Sequence, residues 1–282
     1  MSGRGIRGNP PLRPPSPTDP TLEPWPVPRE RRFPIRSFGP GTAADIQQTC
    51  VSLEQIDHAA QDNPIPSDDP WAELYTGAHH ALLHSVIKWE NMSFREDGMS
   101  VEWDPTWGFY LFLIDYTEAV KDKLPGATEK LIRAQQRKLR ADSVIADPYA
   151  KELYRRLRFD VVEDQEALEG ASVDRVRECF CALVSTFELS DDENIYPPPA
   201  SNMVCLVLDG GEVEMLANLE FFDDYMDELK AHQQCKPQAV DVRWKRPEMT
   251  RDTYRGTRYL EISSLARTYD LLNSDSLAEV EQ

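Results

Sequence analysis

The chain has 282 residues, of which 40% are hydrophobic, and it carries a net charge of −18 at pH 7. This length supports one sizeable core or two small ones. The longest apolar runs, 109–114 and 203–208, are six residues each, which is too short for a membrane-spanning helix of about 18 or more apolar residues. No apolar stretch follows the N-terminal arginines, so the sequence predicts no signal peptide and favours the cytosol or the nucleus.

The first forty residues differ from the rest of the chain in composition. They hold eleven of the 22 prolines and seven arginines against three acidic residues. Such a segment buries too little apolar surface to offset its ordering entropy, so we predict a disordered tail over 1–40. The remaining residues, 41–282, carry a net charge of −22 and are predicted to form a single domain. A body that acidic repels nucleic acid and anionic membranes, which argues against both as partners and leaves an unidentified protein partner.

A helical hairpin is predicted over 41–92. Thr42 and Asp45 resemble a capping arrangement, and apolar residues then recur at helical spacing: Ile46, Cys50, Leu53, Ile56 and Ala60. A second helix is predicted to begin at Asp69-Pro70. Its buried face is predicted to hold Leu74, Ala78, Ala81, Leu82, Ser85 and Trp89.

An α/β core is predicted over 100–275. Strands are predicted at 107–116, 159–162, 203–208 and 239–244, because these runs are aromatic, β-branched or alternating. Helices are predicted at 127–141, 147–158, 173–187, 210–219 and 263–273. The predicted core holds Ile46, Leu53, Leu82, Phe109, Leu111, Leu113, Val176, Phe180, Leu183, Val204, Leu206 and Leu208.

The interleaving of strands and helices predicts an α+β fold in which a small mixed sheet is packed by helices. A two-layer, ferredoxin-like arrangement is one form that such a sheet can take.

Five stretches of the chain carry a resemblance to other proteins. They are 104–109 (DPTWGF), 166–172 (EALEGAS), 202–209 (NMVCLVLD) and the closing WKRP and TYRG at 244–247 and 253–256. In these stretches the chain resembles a family of uncharacterised proteins of filamentous ascomycete fungi, to which no function is assigned. The resemblance covers roughly residues 100–260 and implies a fungal source without implying an activity.

Acidic residues follow three of the predicted strands. Asp115 follows the first, Glu163 and Asp164 the second, and Asp209 the third. If these strands are parallel neighbours, the carboxylates gather at one edge of the sheet, as in two-metal phosphoryl-transfer sites. The alternative is that each aspartate begins a turn or helix through its own hydrogen bonds.

Histidines and cysteines offer weaker candidates. His80 and His84 are four apart on the second helix, a spacing that can hold a metal ion, although a solvated polar face is the better interpretation. Cys179 and Cys181 are two apart on a helix and therefore point to nearly opposite sides, which argues against a redox or metal pair.

Two clusters of basic residues are candidates for anion binding. One comprises Arg243, Lys245, Arg246, Arg251, Arg255 and Arg258, interleaved with aromatic residues, a composition suited to phosphate or to stacked bases. The other is a helical stripe of Lys130, Arg133, Arg137 and Arg140. Internal salt bridges are the alternative for both clusters, because the body is rich in acids.

No Walker-loop, nucleophile-elbow, kinase or CxxC motif occurs in the sequence, and no cofactor is predicted. The leading hypothesis is therefore a non-catalytic interaction or regulatory protein. A metal-dependent phosphoryl-transfer enzyme using Asp115 and Asp209, and an anion or nucleic-acid binder using the 243–258 segment, are the alternatives.

Overall fold

The structure is a computed structural model, and it describes residues 33–40, 52–62, 70–91, 95–96, 99–100, 106–141, 147–185, 203–242, 244, 254–272 and 277. It confirms the α+β fold: a mixed sheet of six strands is packed by helices. No helix among the described residues combines the length and apolarity needed to cross a bilayer.

Strand order defines the sheet. The strands are β1 (Ile35–Phe38), β4 (Trp107–Leu113), β5 (Leu157–Val162), β6 (Val204–Leu208), β7 (Gln238–Asp241) and β8 (Thr257–Tyr259), and they lie in the order β1-β5-β4-β6-β7-β8. β4 is parallel to both β5 and β6, whereas the outer pairs are antiparallel. A separate two-stranded ribbon pairs β2 (Arg95–Glu96) with β3 (Met99–Ser100).

The helices are α1 (Leu53–Asp62), α2 (Pro70–Asn91), α3 (Glu118–Ala141), α4 (Pro148–Arg156), α5 (Gln165–Leu168), α6 (Val173–Ser185), α7 (Gly210–Ala217), α8 (Tyr225–His232) and α9 (Leu265–Leu272). A 3₁₀ turn (Ile262–Ser264) precedes α9.

Helices cover both faces of β4. On one face the ring of Tyr269, from α9, contacts Trp107 and Phe109. On the other face Phe180, from α6, contacts Tyr110 and Phe112. A two-layer ferredoxin-like arrangement is therefore not the form adopted. Its helices would cover one face of the sheet, whereas helices here cover both faces.

The predicted core is buried wherever the structure describes it, apart from Leu53, which is partly buried against the core. Ile46 lies outside the described residues. The apolar runs in β4 and β6 are thus explained by burial on both faces of a central strand.

The predicted tail ends too late. Residues 35–38 form β1 at one edge of the sheet, paired with β5, and Phe33 is buried. The sequence does not indicate β1 because the strand has few apolar residues. The prolines and arginines around it are typical of a disordered linker.

The buried face of α2 also differs from the prediction. His79, Leu82, Leu83, Val86 and Ile87 are buried, while Ala78 and Ala81 are exposed. The actual stripe runs one position later, since the larger side chains rather than the alanines bury the most apolar area. Helices α1 and α2 are both present, and each packs against α4; the side chains of Leu74 and Trp89 lie outside the described residues.

Helix α3 begins nine residues earlier than predicted and contains Pro125 in its interior. Proline normally breaks a helix because it lacks an N–H group. Here Val120 and Leu124 are buried before it and Ala127 and Leu131 after it, so packing along one face holds the helix through the proline. The elements α8 and β8 were not predicted, because both are short and polar.

Gly108 in β4 sets how closely β4 and β5 approach. Its φ is +139°, and a Cβ atom at this position would lie 1.8 Å from the carbonyl oxygen of Arg158. That oxygen belongs to the backbone of the neighbouring strand and cannot move without disturbing the pairing. A side chain at position 108 is therefore incompatible with the central pair of strands.

We expect Gly108→Ala to lower the free energy of unfolding by at least about 3 kcal/mol, because it combines a backbone clash with a strained φ. Gly126→Ala is the matched control: this helical glycine has open space around its Cβ position, and the change is expected to stabilise the protein by roughly 0.5–1 kcal/mol. Urea unfolding of both variants measures the difference. Equal stability of the two would contradict the β4–β5 register.

Candidate functional site at the carboxyl ends of the parallel strands

The carboxyl ends of β4 and β6 adjoin at a topological switch point. From β4 the chain crosses to β5 on one side, and from β5 it crosses back past β4 to β6 on the other. In open α/β sheets ligands bind in the crevice where successive connections diverge in this way. The residues that follow β4 and β6 are Asp115 and Asp209, both predicted as candidates from the sequence.

Asp115 lies against the first turn of α7. Its Oδ1 accepts a hydrogen bond of 2.9 Å from the backbone N–H of Thr117. Its Oδ2 lies beside Gly210, where a Cβ atom would be only 2.4 Å away from that oxygen. The glycine thus allows the carboxylate to approach the helix start, where the partial positive charge of the helix dipole stabilises an anion.

Asp209 is the N-cap of α7. Its Oδ1 accepts from the backbone N–H of Glu212, and the Glu212 carboxylate accepts from the backbone N–H of Asp209. This reciprocal pair is a capping box, which satisfies two backbone donors that the helix leaves unpaired. The D-x-x-E spacing in the sequence signals this motif, which was not predicted.

The structure therefore brings Asp115 next to the Asp209-Gly210 turn, as the parallel arrangement of strands required. Each carboxylate has one oxygen bonded to a backbone N–H group. Within the described part of the chain, no three histidine, cysteine, aspartate or glutamate residues form a group that could hold a metal ion. The geometry fits helix initiation. The carboxylates of Asp115 and Asp209 can also attract cationic groups.

The end of β5 is also acidic. Asp164 caps α5 by accepting from the N–H of Ala167, and Glu163 lies 3.6 Å from Arg36 of the edge strand. The hydroxyl of Tyr116 is buried nearby without a hydrogen-bond partner. Burial, reinforced by the charges of Asp164 and Glu163, raises the pKa of this phenol well above its usual value, so Tyr116 stays neutral.

His79, a buried histidine that was not predicted as a site residue, joins α2 to the start of α4. His79 Nδ1 and Asp147 Oδ2 are hydrogen bonded at 2.7 Å, and both side chains are buried. The other oxygen of Asp147 caps α4 by accepting from the N–H of Tyr149. The Tyr149 hydroxyl donates to Asp57 of α1. A polar residue on the apolar stripe of α2 was the available signal.

His80 and His84 lie near each other, with ring centroids 6.2 Å apart. His80 also lies against the ring of Tyr149 and 3.7 Å from Asp57, while His84 is exposed. These contacts match the interpretation of a polar, partly solvated surface between α1 and α2. Cys179 is buried and Cys181 exposed, on different sides of α6 as predicted.

The basic stripe of α3 binds the segment that links α7 to α8. Lys130 Nζ donates to the carbonyl oxygens of Ala217 and Leu219, at 2.7 and 2.9 Å, and so satisfies carbonyls at the end of α7. Arg133 lies over the ring of Phe221. Arg137 pairs with Glu228 at 2.8 Å. Three members of this stripe therefore have internal partners.

Of the predicted anion-binding residues, Arg243, Arg246 and Arg251 lie outside the described residues. Arg255 is exposed and Arg258 is half-buried on β8. Between them and β7, the buried guanidinium of Arg177 donates to the carbonyl oxygens of Asp241 and Gly256. Arg177 thus links the two strands from which the 243–256 segment extends.

Comparison with known proteins adds no identity: no family model, no curated protein and no solved structure matches the chain. The resemblance to fungal proteins therefore remains a prediction. Function has to be argued from the residues themselves.

We expect Gly210→Ala to destabilise the protein by about 1 kcal/mol, because the new methyl group meets Asp115. In an Asp115→Ala background the same change should be neutral or stabilising, since alanine favours helix over glycine. The coupling from a double-mutant cycle is expected at about 1 kcal/mol. Additive effects would show that Asp115 does not lie on Gly210.

His79→Ala is expected to lower the free energy of unfolding by about 1–3 kcal/mol, because Asp147 loses its buried hydrogen-bond partner. His84→Ala provides the matched control: it removes an exposed histidine from the same helix, and its effect should stay within about 0.5 kcal/mol. Chemical denaturation gives both values. Equal effects of the two changes would contradict the His79–Asp147 contact.

Proposed function

We propose that this protein is a non-catalytic interaction or regulatory protein of the cytosol or nucleus. The observation that supports this most directly is that the strand-end carboxylates accept hydrogen bonds from the backbone. Asp115, Asp164 and Asp209 each accept a hydrogen bond from a backbone N–H at the start of a turn or helix. A carboxylate oxygen bound in this way contributes to stability and is less available to a metal ion or a proton.

The other candidate groups support the same proposal. The basic stripe of α3 bonds to the α7–α8 segment, and His79 bonds to Asp147. These contacts hold helices to one another: α3 to α7 and α8, and α2 to the start of α4. A folded body whose polar residues are used for its own assembly offers its surface, rather than a reacting centre, to other molecules.

A metal-dependent phosphoryl-transfer enzyme is the second candidate. One observation favours it: Asp115 lies against Gly210, so two aspartates adjoin at the switch point, next to the start of α7. One oxygen of each carboxylate could turn toward a metal ion held with a substrate phosphate.

Thermal melting of the full chain with Mg²⁺ or Mn²⁺, with and without nucleotides and sugar phosphates, separates the two candidates. A ligand that binds the native state raises the melting temperature by mass action. The proposal predicts no metal-dependent rise. A rise that disappears in Asp115→Asn and Asp209→Asn would contradict it, because asparagine still caps a helix but is a poorer ligand. Lys151→Gln, a change to an exposed residue of α4, is the control.

A further inference from the structure

The segment that links α7 to α8, together with the first turn of α8, exposes large apolar side chains among acidic ones. Phe222 is 37% exposed and Met226 is 57% exposed, and they are two of the four large hydrophobic residues that the described part of the chain leaves exposed. Four acidic residues of this region are also exposed: Glu220, Asp223, Asp224 and Asp227, the last of which pairs with Lys230 at 3.1 Å. We refer to residues 220–227 as the acidic apolar surface.

The backbone of this surface is held from both sides of Phe222. Its N–H donates to Glu228 at 3.0 Å, and its carbonyl oxygen accepts from the guanidinium of Arg137. Arg137 also donates to Glu228, so the three groups form one network. Glu228 itself is only 2% exposed. A carboxylate shielded from water in this way binds its partners more firmly than an exposed one.

The two ends of the surface are fixed as well. Before Phe222, the Nε2 of His232 lies 2.9 Å from the carbonyl oxygen of Glu220, and Arg133 covers Phe221. After it, Asp224 caps α8 by accepting from the N–H groups of Met226 and Asp227. The apolar side chains are therefore presented on an ordered backbone, and a partner pays little ordering entropy to bind them.

The chemistry of the surface specifies its partner. An aromatic side chain and a methionine can fill or line an apolar contact, and methionine adapts to different shapes. The surrounding carboxylates favour cations and repel phosphates, which excludes nucleic acid and anionic lipid. A segment with an apolar stripe flanked by lysine or arginine satisfies both requirements, and an amphipathic helix has this pattern.

We propose that the acidic apolar surface is the docking site for a basic amphipathic helix of a partner protein. This inference rests on the proposed function and assigns it a surface and a class of partner. Its supporting observations are the exposed Phe222 and Met226, the complementary charge around them, and the network through which Arg137 and Glu228 hold the backbone.

A fluorescein-labelled amphipathic helix of lysine and leucine is the probe, and its anisotropy is measured against the full chain. The inference predicts saturable binding that is about tenfold weaker, or more, for Phe222→Ser combined with Met226→Ser. Ile35→Ser combined with Tyr259→Ser is the matched control: these residues are exposed on the two edge strands, and affinity should stay within about twofold.

A charge pair of variants tests the second requirement. Asp223→Asn with Asp227→Asn should weaken binding and reduce its dependence on salt, whereas Asp122→Asn with Glu129→Gln, two exposed acids of α3, should change neither. Asp224 is left intact because it caps α8. Thermal melting checks that every variant is folded.

Equal binding by all variants would overturn the inference, since it would reflect a general attraction to an acidic chain. Two other outcomes would overturn it by assigning the surface to a different occupant. One is self-association of the chain that is lost in Phe222→Ser with Met226→Ser; the other is tighter binding of a peptide of residues 1–32 than of the probe. None of these outcomes changes the metal-dependent melting, so failure here is distinguishable from failure of the proposed function.

Discussion

The burial of β4 on both faces determines where the helices pack and which strands lie beside it. Its side chains contact α9 on one face and α6 on the other, and its two neighbours run parallel to it. Helix α9 follows β8, whereas α6 is supplied by a crossover connection of the kind that parallel neighbours require. The parallel neighbours also bring the carboxyl ends of β4 and β6 to one edge, so the position of Asp115 beside Gly210 follows from the strand order.

At that edge the chain must change from strand to helix several times within a small volume. Each change leaves backbone N–H groups without partners, and short acidic side chains satisfy them. Asp115, Asp164 and Asp209 serve this purpose after three different strands. The same balance appears in α3, whose basic residues bond to carbonyl oxygens and carboxylates of the α7–α8 segment. Much of the paired charge therefore organises the fold.

The sequence predicted the elements whose patterns are strong. The apolar runs of β4 and β6 and the stripe of α6 need burial, and each lies where it was expected. It failed where tertiary contacts override local pattern: Pro125 continues a helix because the residues on both sides of it are buried, and β1 is fixed by pairing with β5. The meeting of the strand-end aspartates could be predicted only on the assumption that their strands are parallel neighbours. Strand order itself depends on connections that no short motif encodes. The His79–Asp147 contact depends on two distant segments.

The NMR amide signals of Thr117 and Glu212 report whether the strand-end carboxylates serve the fold, because the N–H groups of these two residues donate to Asp115 and Asp209. If these carboxylates serve the fold, both amide shifts should remain unchanged on titration with Mg²⁺ together with a phosphate ester. If both signals instead shift along one saturable curve, the carboxylates have turned to a metal ion, which contradicts a role in the fold alone and favours the phosphoryl-transfer alternative.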